Sequence, residues 1–175
     1  ASMWVGVLGT TVVRADAPEP GTDPELGSIP LKAAKHRALV AALALAPGRP
    51  VSADALVDAL WGADSPPSAQ STLHGYVSVV RRALEPDLPA RSPSQYLVSS
   101  DAGYALRVGR SDLDAQVFAR TVADVHAGLG ALTSTVAPVA DDPDLAATAM
   151  ERLDTALALW RGEPYDDLAP TDSST

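Results

Sequence analysis

Ala69-Gln70-Ser71-Thr72-Leu73-His74-Gly75-Tyr76-Val77-Ser78-Val79-Val80-Arg81-Arg82-Ala83-Leu84 carries two faces that do not mix. At about 100° per residue, Leu73, Val77, Val80 and Leu84 fall within about 60° of one another. A stripe that narrow belongs against a core. The opposite side holds Ser71, Gly75, Ser78 and Arg82, flanked by His74, Val79 and Arg81. That face is polar, small and partly cationic. Ser65-Pro66-Pro67-Ser68 precedes the helix and Glu85-Pro86 closes it.

Upstream, Lys32 to Ala46 follows helical periodicity, with Leu39, Leu43 and Ala46 on one face, until Pro47-Gly48 stops it. Ser52 is placed to cap a second helix, whose inner face is Leu56, Ala59 and Leu60 and whose end is Gly62. Val5, Val7 and Thr11 to Val13 read as two short strands around Gly9, and Ile29-Pro30-Leu31 as a third. Residues 15–28, rich in Pro, Gly, Asp and Glu, read as a surface loop. Downstream, Tyr96 to Ser99 and Tyr104 to Val108 make a hairpin. Its turn, Ser100-Asp101-Ala102-Gly103, ends in a glycine free to take a positive φ. Strands, three helices and a terminal hairpin in that order describe a winged helix-turn-helix over residues 3–110.

Residues 111–175 read as helix. Asp114 caps a segment to about Leu129 with Val117, Phe118, Val122 and Val125 on its apolar side. A loop at 130–142 follows. Asp142-Pro143 starts a second helix ending at Arg161-Gly162, with Met150, Leu153, Leu157 and Trp160 along one face. Two helices cannot bury both apolar faces alone, so this tail needs the first domain, a partner or further sequence. A helix-pair repeat is the natural architecture for it.

Charge divides the chain the same way. The total is −9, but residues 30–110 carry nine basic and six acidic residues, net +3, and residues 111–175 three basic and twelve acidic, net −9. A basic middle and an acidic tail imply modules with different partners, or a solvated acidic surface on the tail. With no cysteine, disulfides, thiolate metal sites and cysteine nucleophiles are excluded. No apolar run approaches the roughly 20 residues of a membrane span, and no basic stretch precedes an apolar one at the start. A cytoplasmic protein off the membrane is the expectation. The sequence holds no Gly-rich phosphate loop ending in Lys-Ser/Thr and no His-Glu-x-x-His. His36, His74 and His126 lie on separate helices. Neither enzyme activity nor a cofactor is expected.

Several blocks carry a resemblance. Lys35-x-Arg37-Ala38-Leu39, Gly48-Arg49-Pro50-Val51-Ser52, Leu56-Val57-Asp58-Ala59-Leu60-Trp61-Gly62 and Pro66-Pro67-Ser68-Ala69 come first. Tyr76-Val77-Ser78, Arg81-Arg82-Ala83-Leu84, Gly103-Tyr104-x-Leu106 and Ala156-Leu157-Ala158-Leu159-Trp160-Arg161-Gly162 follow. In this order and spacing they resemble the Streptomyces antibiotic regulatory protein family, over nearly the whole chain apart from residues 15–28. The resemblance implies an OmpR-type winged helix at 3–110. It also implies the first part of a tetratricopeptide-like bacterial transcriptional activator domain at 111–175. The implied function is a transcriptional activator that binds direct promoter repeats, as a possible homodimer, and recruits RNA polymerase holoenzyme.

For double-stranded DNA the candidate contacts are Ser71, His74, Gly75, Ser78, Arg81, Arg82 and Ser100. Each has a plainer reading beside it. Arg81 and Arg82 are DNA contacts or solvated arginines at a helix end. His74 reads a base edge or is simply exposed. Gly75 allows close approach to DNA or is a weak spot in the helix. Lys32, Lys35 and Arg37 touch phosphates or form a solvated helix end. Trp61 and Trp160 read as packing. Two positions depart from the family: Val79 and Ser100-Asp101 stand where relatives usually carry Arg and Arg-Pro. Both departures lower the salt-dependent attraction to DNA. They keep open an alternative, a protein-interaction module whose winged helix has lost strong DNA binding.

Overall fold

The narrow stripe of the long helix points inward. The computed structural model describes residues 3–134 and 143–170. In it helix α3 (Ala69–Leu84) buries Leu73, Val77, Val80 and Leu84. Each contributes about 1.5–3 kcal/mol relative to leaving it exposed. Val79, between two of them in sequence, is 48% exposed.

The stripe packs on α1 (Ala34–Ala44) and α2 (Ala53–Trp61). Every residue of α1 from Ala38 to Ala44 is buried, which its lack of a polar face after Arg37 requires. Four alanines there let α2, α3 and a strand of the hairpin approach closely. Ser52 caps α2, its Oγ accepting from Ala55 N at 3.2 Å. Gly62 ends that helix at φ 58°.

The hairpin follows α3. Strands β3 (Leu97–Ser100) and β4 (Gly103–Leu106) pair antiparallel, with Ser100 opposite Gly103 across Asp101-Ala102. It docks through Val51, whose N–H donates to Tyr104 O at 2.7 Å and whose carbonyl accepts from Tyr104 N at 2.9 Å. A Cβ on Gly103, at φ 128°, would lie 2.0 Å from Val51 O. Only glycine fits there.

At the N-terminal end, strands β1 (Trp4–Gly6) and β2 (Val12–Arg14) pair antiparallel, forming a second small sheet. Ile29-Pro30-Leu31, expected as a third strand, is not one. Ile29 N donates to Val13 O at 2.7 Å, and Pro30 has no N–H to continue the ladder. Residues 15–28 form consecutive turns hung on Arg14, whose guanidinium donates to the carbonyls of Asp16, Pro24 and Leu26.

The tail supplies α4 (Asp114–Ser134) and α5 (Pro143–Leu157). Helix α4 continues through 130–134, where a loop was expected; positions 135–142 of that loop, Asp141 and Asp142 included, lie outside the described residues. The expected inner face of α5 is corrected. Ala146, Ala149, Leu153 and Ala156 turn inward, while Met150, Leu157 and Trp160 are 65%, 57% and 41% exposed. Small side chains let α5 lie close on α4, and that close approach sets the helix phase. Arg152 and Asp124 are paired at 3.6 Å, and Phe118 meets Trp160 edge-on.

Helix α5 also ends earlier than Arg161-Gly162. Arg161 N donates to Leu8 O at 2.8 Å, so the chain leaves the helix to follow the N-terminal strand. That segment is held from both sides. Val5 N donates to Asp112 O and Tyr165 N to Val7 O, each at 2.7 Å. The fully buried Asp114 accepts from Val7 N at 2.8 Å, Leu8 N at 3.1 Å and Ala115 N at 2.7 Å, with Arg161 at 3.9 Å. Burial raises its carboxyl above the ordinary value, against the pull of those N–H groups and Arg161. Asp167 bridges Thr11 N at 2.8 Å and Arg37 Nε at 3.1 Å.

Candidate nucleic-acid interface

Because the apolar stripe of α3 faces inward, its other face is solvent-exposed. Ser71, His74, Gly75, Ser78, Val79 and Arg82 all lie on it. Ser71 Oγ donates to Ser68 O at 2.9 Å and Ser78 Oγ to His74 O at 3.1 Å. With their protons turned inward, both hydroxyls present acceptor lone pairs outward. A Cβ on Gly75 would meet nothing within 4 Å. Packing therefore does not demand this glycine, and its effect is a low spot in the exposed surface.

Two of the candidate residues turn toward the hairpin. Arg81 donates from Nε to Leu97 O at 2.9 Å and from Nη2 to Ser99 Oγ at 2.5 Å. His74 Nδ1 lies 2.6 Å from Tyr104 Oη, with the rings edge-on. Both residues fix the angle between α3 and the hairpin. Of the two arginines, Arg82 has no hydrogen-bond or ion-pair partner among the described residues. Ser100 sits at the hairpin tip, its Oγ accepting from Ala102 N at 3.3 Å. Between the tip and α3 opens a cleft of about 540 Å³ lined by Ser52, His74, Arg81, Ser99, Asp101 and Tyr104, among others. Asp101 places a carboxylate on its rim.

The cations at the start of α1 have internal partners. Lys35 Nζ donates to Leu60 O and lies 5.4 Å from the Trp61 ring centroid. Arg37 holds the carbonyls of Leu31 and Lys32 as well as Asp167. Trp61 is half-buried and stacks on Tyr76 at 5.8 Å. Periodicity did not single out Tyr104, which orients His74 from 30 residues away. A phenol in a strand shows no sign in sequence of which helix residue it will meet.

Residues 29–106 match the family model described as transcriptional regulatory protein, C terminal. The chain is 36% identical to the transcriptional regulatory protein MoaR1 of Mycobacterium bovis and Mycobacterium tuberculosis over 143 residues, covering 80% of this chain and 41% of the relative. It is 35% identical to the transcriptional regulator RedD of Streptomyces coelicolor, covering 78% of this chain and 35% of RedD. Among solved structures, Mycobacterium tuberculosis EmbR, in complex with a low-affinity phosphopeptide, superposes with a TM-score of 0.69 at 28% identity. That match covers 94% of this chain and 38% of EmbR. The chain thus spans well under half the length of these relatives. No helix among the described residues is long and apolar enough to cross a membrane. With the matched domain, relatives of this kind over most of its length and a shared fold, the chain is similar to transcriptional regulators of the Streptomyces antibiotic regulatory protein type.

Proposed function

We propose that this chain is a sequence-specific DNA-binding transcriptional regulator, without catalytic machinery of its own, and that residues 3–110 act as a winged helix. The observation that carries the reading is the exposed face of α3, running from Ser71 to Arg82 beside the Ser100 turn, inside the matched regulatory domain. A helix with serines, His74 and Gly75 outward suits the major groove, whose base edges offer donors and acceptors to such groups. The hairpin tip is then the wing beside it. The net charge of +3 over residues 30–110 favours phosphate contact.

In this reading the protein is an activator that binds promoter repeats, as a homodimer on direct repeats, and recruits RNA polymerase holoenzyme. The relatives' names support the regulatory role itself. Residues 111–175 are the first part of a helix-pair activator domain. The exposed Met150, Leu157 and Trp160 support an apolar face made to be covered by further structure. A second reading, a protein-interaction module, draws on the exposed Val79 and on Asp101 at the tip.

Fluorescence anisotropy of the chain with a labelled mixed-sequence duplex decides between them. The DNA reading expects binding at low salt that weakens steeply as salt rises. No salt-dependent binding would overturn it in favour of the module. Genomic DNA recovered with the full-length protein would then supply the target sequence.

A further inference from the structure

Beyond Arg82 the chain turns at Glu85-Pro86 and folds back on the end of α3. Leu88 N donates to Glu85 O at 3.1 Å and Ser92 N to Pro89 O at 3.0 Å. The loop encloses a cleft of about 270 Å³ whose lining includes Ser78, Arg81, Arg82, Glu85, Arg91 and Ser92. The charges in it are sorted. Glu85, the one carboxylate in the lining, already accepts from Gln95 N and from Ser94 Oγ. Arg81 is engaged by the hairpin. Arg82 and Arg91 are exposed, with no hydrogen-bond or ion-pair partner among the described residues. Arg91 also sits at φ 66°, a left-handed conformation that non-glycine residues rarely adopt.

The cleft continues the exposed face of α3 at its C-terminal end. At 1.5 Å per residue, Ser71 to Arg82 spans about 16 Å. The major groove is about 12 Å wide. A helix with Ser71 to Ser78 over base edges therefore overruns the groove at its Arg82 end, where it meets a strand's phosphates. Guanidinium groups present planar pairs of N–H donors matched to phosphate oxygens.

We propose that this cleft clamps one phosphodiester of the DNA backbone. Arg91, in the loop after α3, is a phosphate ligand alongside Arg82. The assignment rests on the DNA-binding reading above. It adds a contact from a segment outside both the helix and the wing.

The test is a salt series of duplex titrations on the full chain carrying Arg91→Asn, Arg91→Lys or Arg82→Ala. Asn tolerates the left-handed backbone and removes the charge; Lys keeps it. For Arg91→Asn the slope of log affinity against log salt should shrink by about 0.9. Between 50 and 200 mM salt the variant should lose roughly 3–4-fold less affinity than the parent. The change should be the same on unrelated duplex sequences, with Arg91→Lys close to the parent and no variant melting below the parent. Arg91→Asn titrating like the parent, while Arg82→Ala loses slope, would take the cleft off DNA and leave the DNA reading standing. A parent chain with no salt-dependent binding would remove the DNA reading and the clamp with it. Inorganic phosphate raising the parent's melting temperature but not that of Arg91→Asn, with duplex titrations unchanged, would mark a free-anion site and overturn the backbone clamp.

Discussion

Replacing Asp114 with Ala removes the acceptor that ties the tail to the N-terminal strand. The carboxylate takes N–H bonds from Val7 at 2.8 Å and Leu8 at 3.1 Å, both buried, and a third from Ala115 N in the first turn of α4. A buried donor left without a partner costs about 1–3 kcal/mol. The change also removes the anion beside Arg161, whose side chain is only 18% exposed. Breaking such a buried pair costs about 3–5 kcal/mol, a large part of a typical folding stability of about 5–15 kcal/mol. For a chain of this length the melting temperature should fall by roughly 6–20 °C. Asp114→Asn keeps one carbonyl oxygen but turns an amide donor toward the Leu8 N–H and Arg161, so its loss should be about 1–3 kcal/mol. Urea titration gives the loss, and limited proteolysis shows whether the tail is released. A midpoint within about 0.5 kcal/mol of the parent for Asp114→Ala, with the tail equally protected, would refute the tether.

Other outcomes follow from the same geometry. Burial raises the folded Asp114 carboxyl above its unfolded value, so the folded state takes up that proton first as pH falls. The group's contribution is therefore smallest near neutrality and grows as pH drops from the raised value toward about 4. The gap in urea midpoint between parent and Asp114→Asn should widen over that window; a narrowing gap would show that the N–H groups of Val7 and Leu8 outweigh burial. Gly103→Ala puts a Cβ against Val51 O and strains φ, and should cost at least about 2 kcal/mol; an unchanged denaturation midpoint would contradict the docking of the hairpin. Val79→Arg should change stability by no more than about 0.5 kcal/mol, because the residue is 48% exposed. It should strengthen duplex binding most at low salt, and Ser100→Arg should add a comparable gain. Stable variants with no gain in anisotropy titrations would favour the interaction module.

Features that depend on neighbours along the chain are legible in the residues alone. The 3.6-residue period of Leu73, Val77, Val80 and Leu84 set the buried face of α3 and left Val79 outside. The Ser52 cap and the Gly103 turn follow from backbone chemistry within a few residues, and both are present in the structure. Candidate DNA contacts were legible as a face for the same reason. Which of them are free depends on how the hairpin docks against α3. Arg81 and Arg82 are adjacent in sequence, yet one side chain holds Leu97 and Ser99 while the other has no partner among the described residues. The tail shows the limit most clearly. Large apolar residues at 150, 157 and 160 suggested one face of α5, but the alanines on α4's side set its phase. Asp114 read as a helix cap but is the first residue of α4, with Leu113 O accepting from Val117 N, and nothing local marked it as the acceptor for Val7, 107 residues away. A buried N–H takes whichever acceptor the fold brings within reach, and that proximity is created by packing rather than by the residues on either side of it.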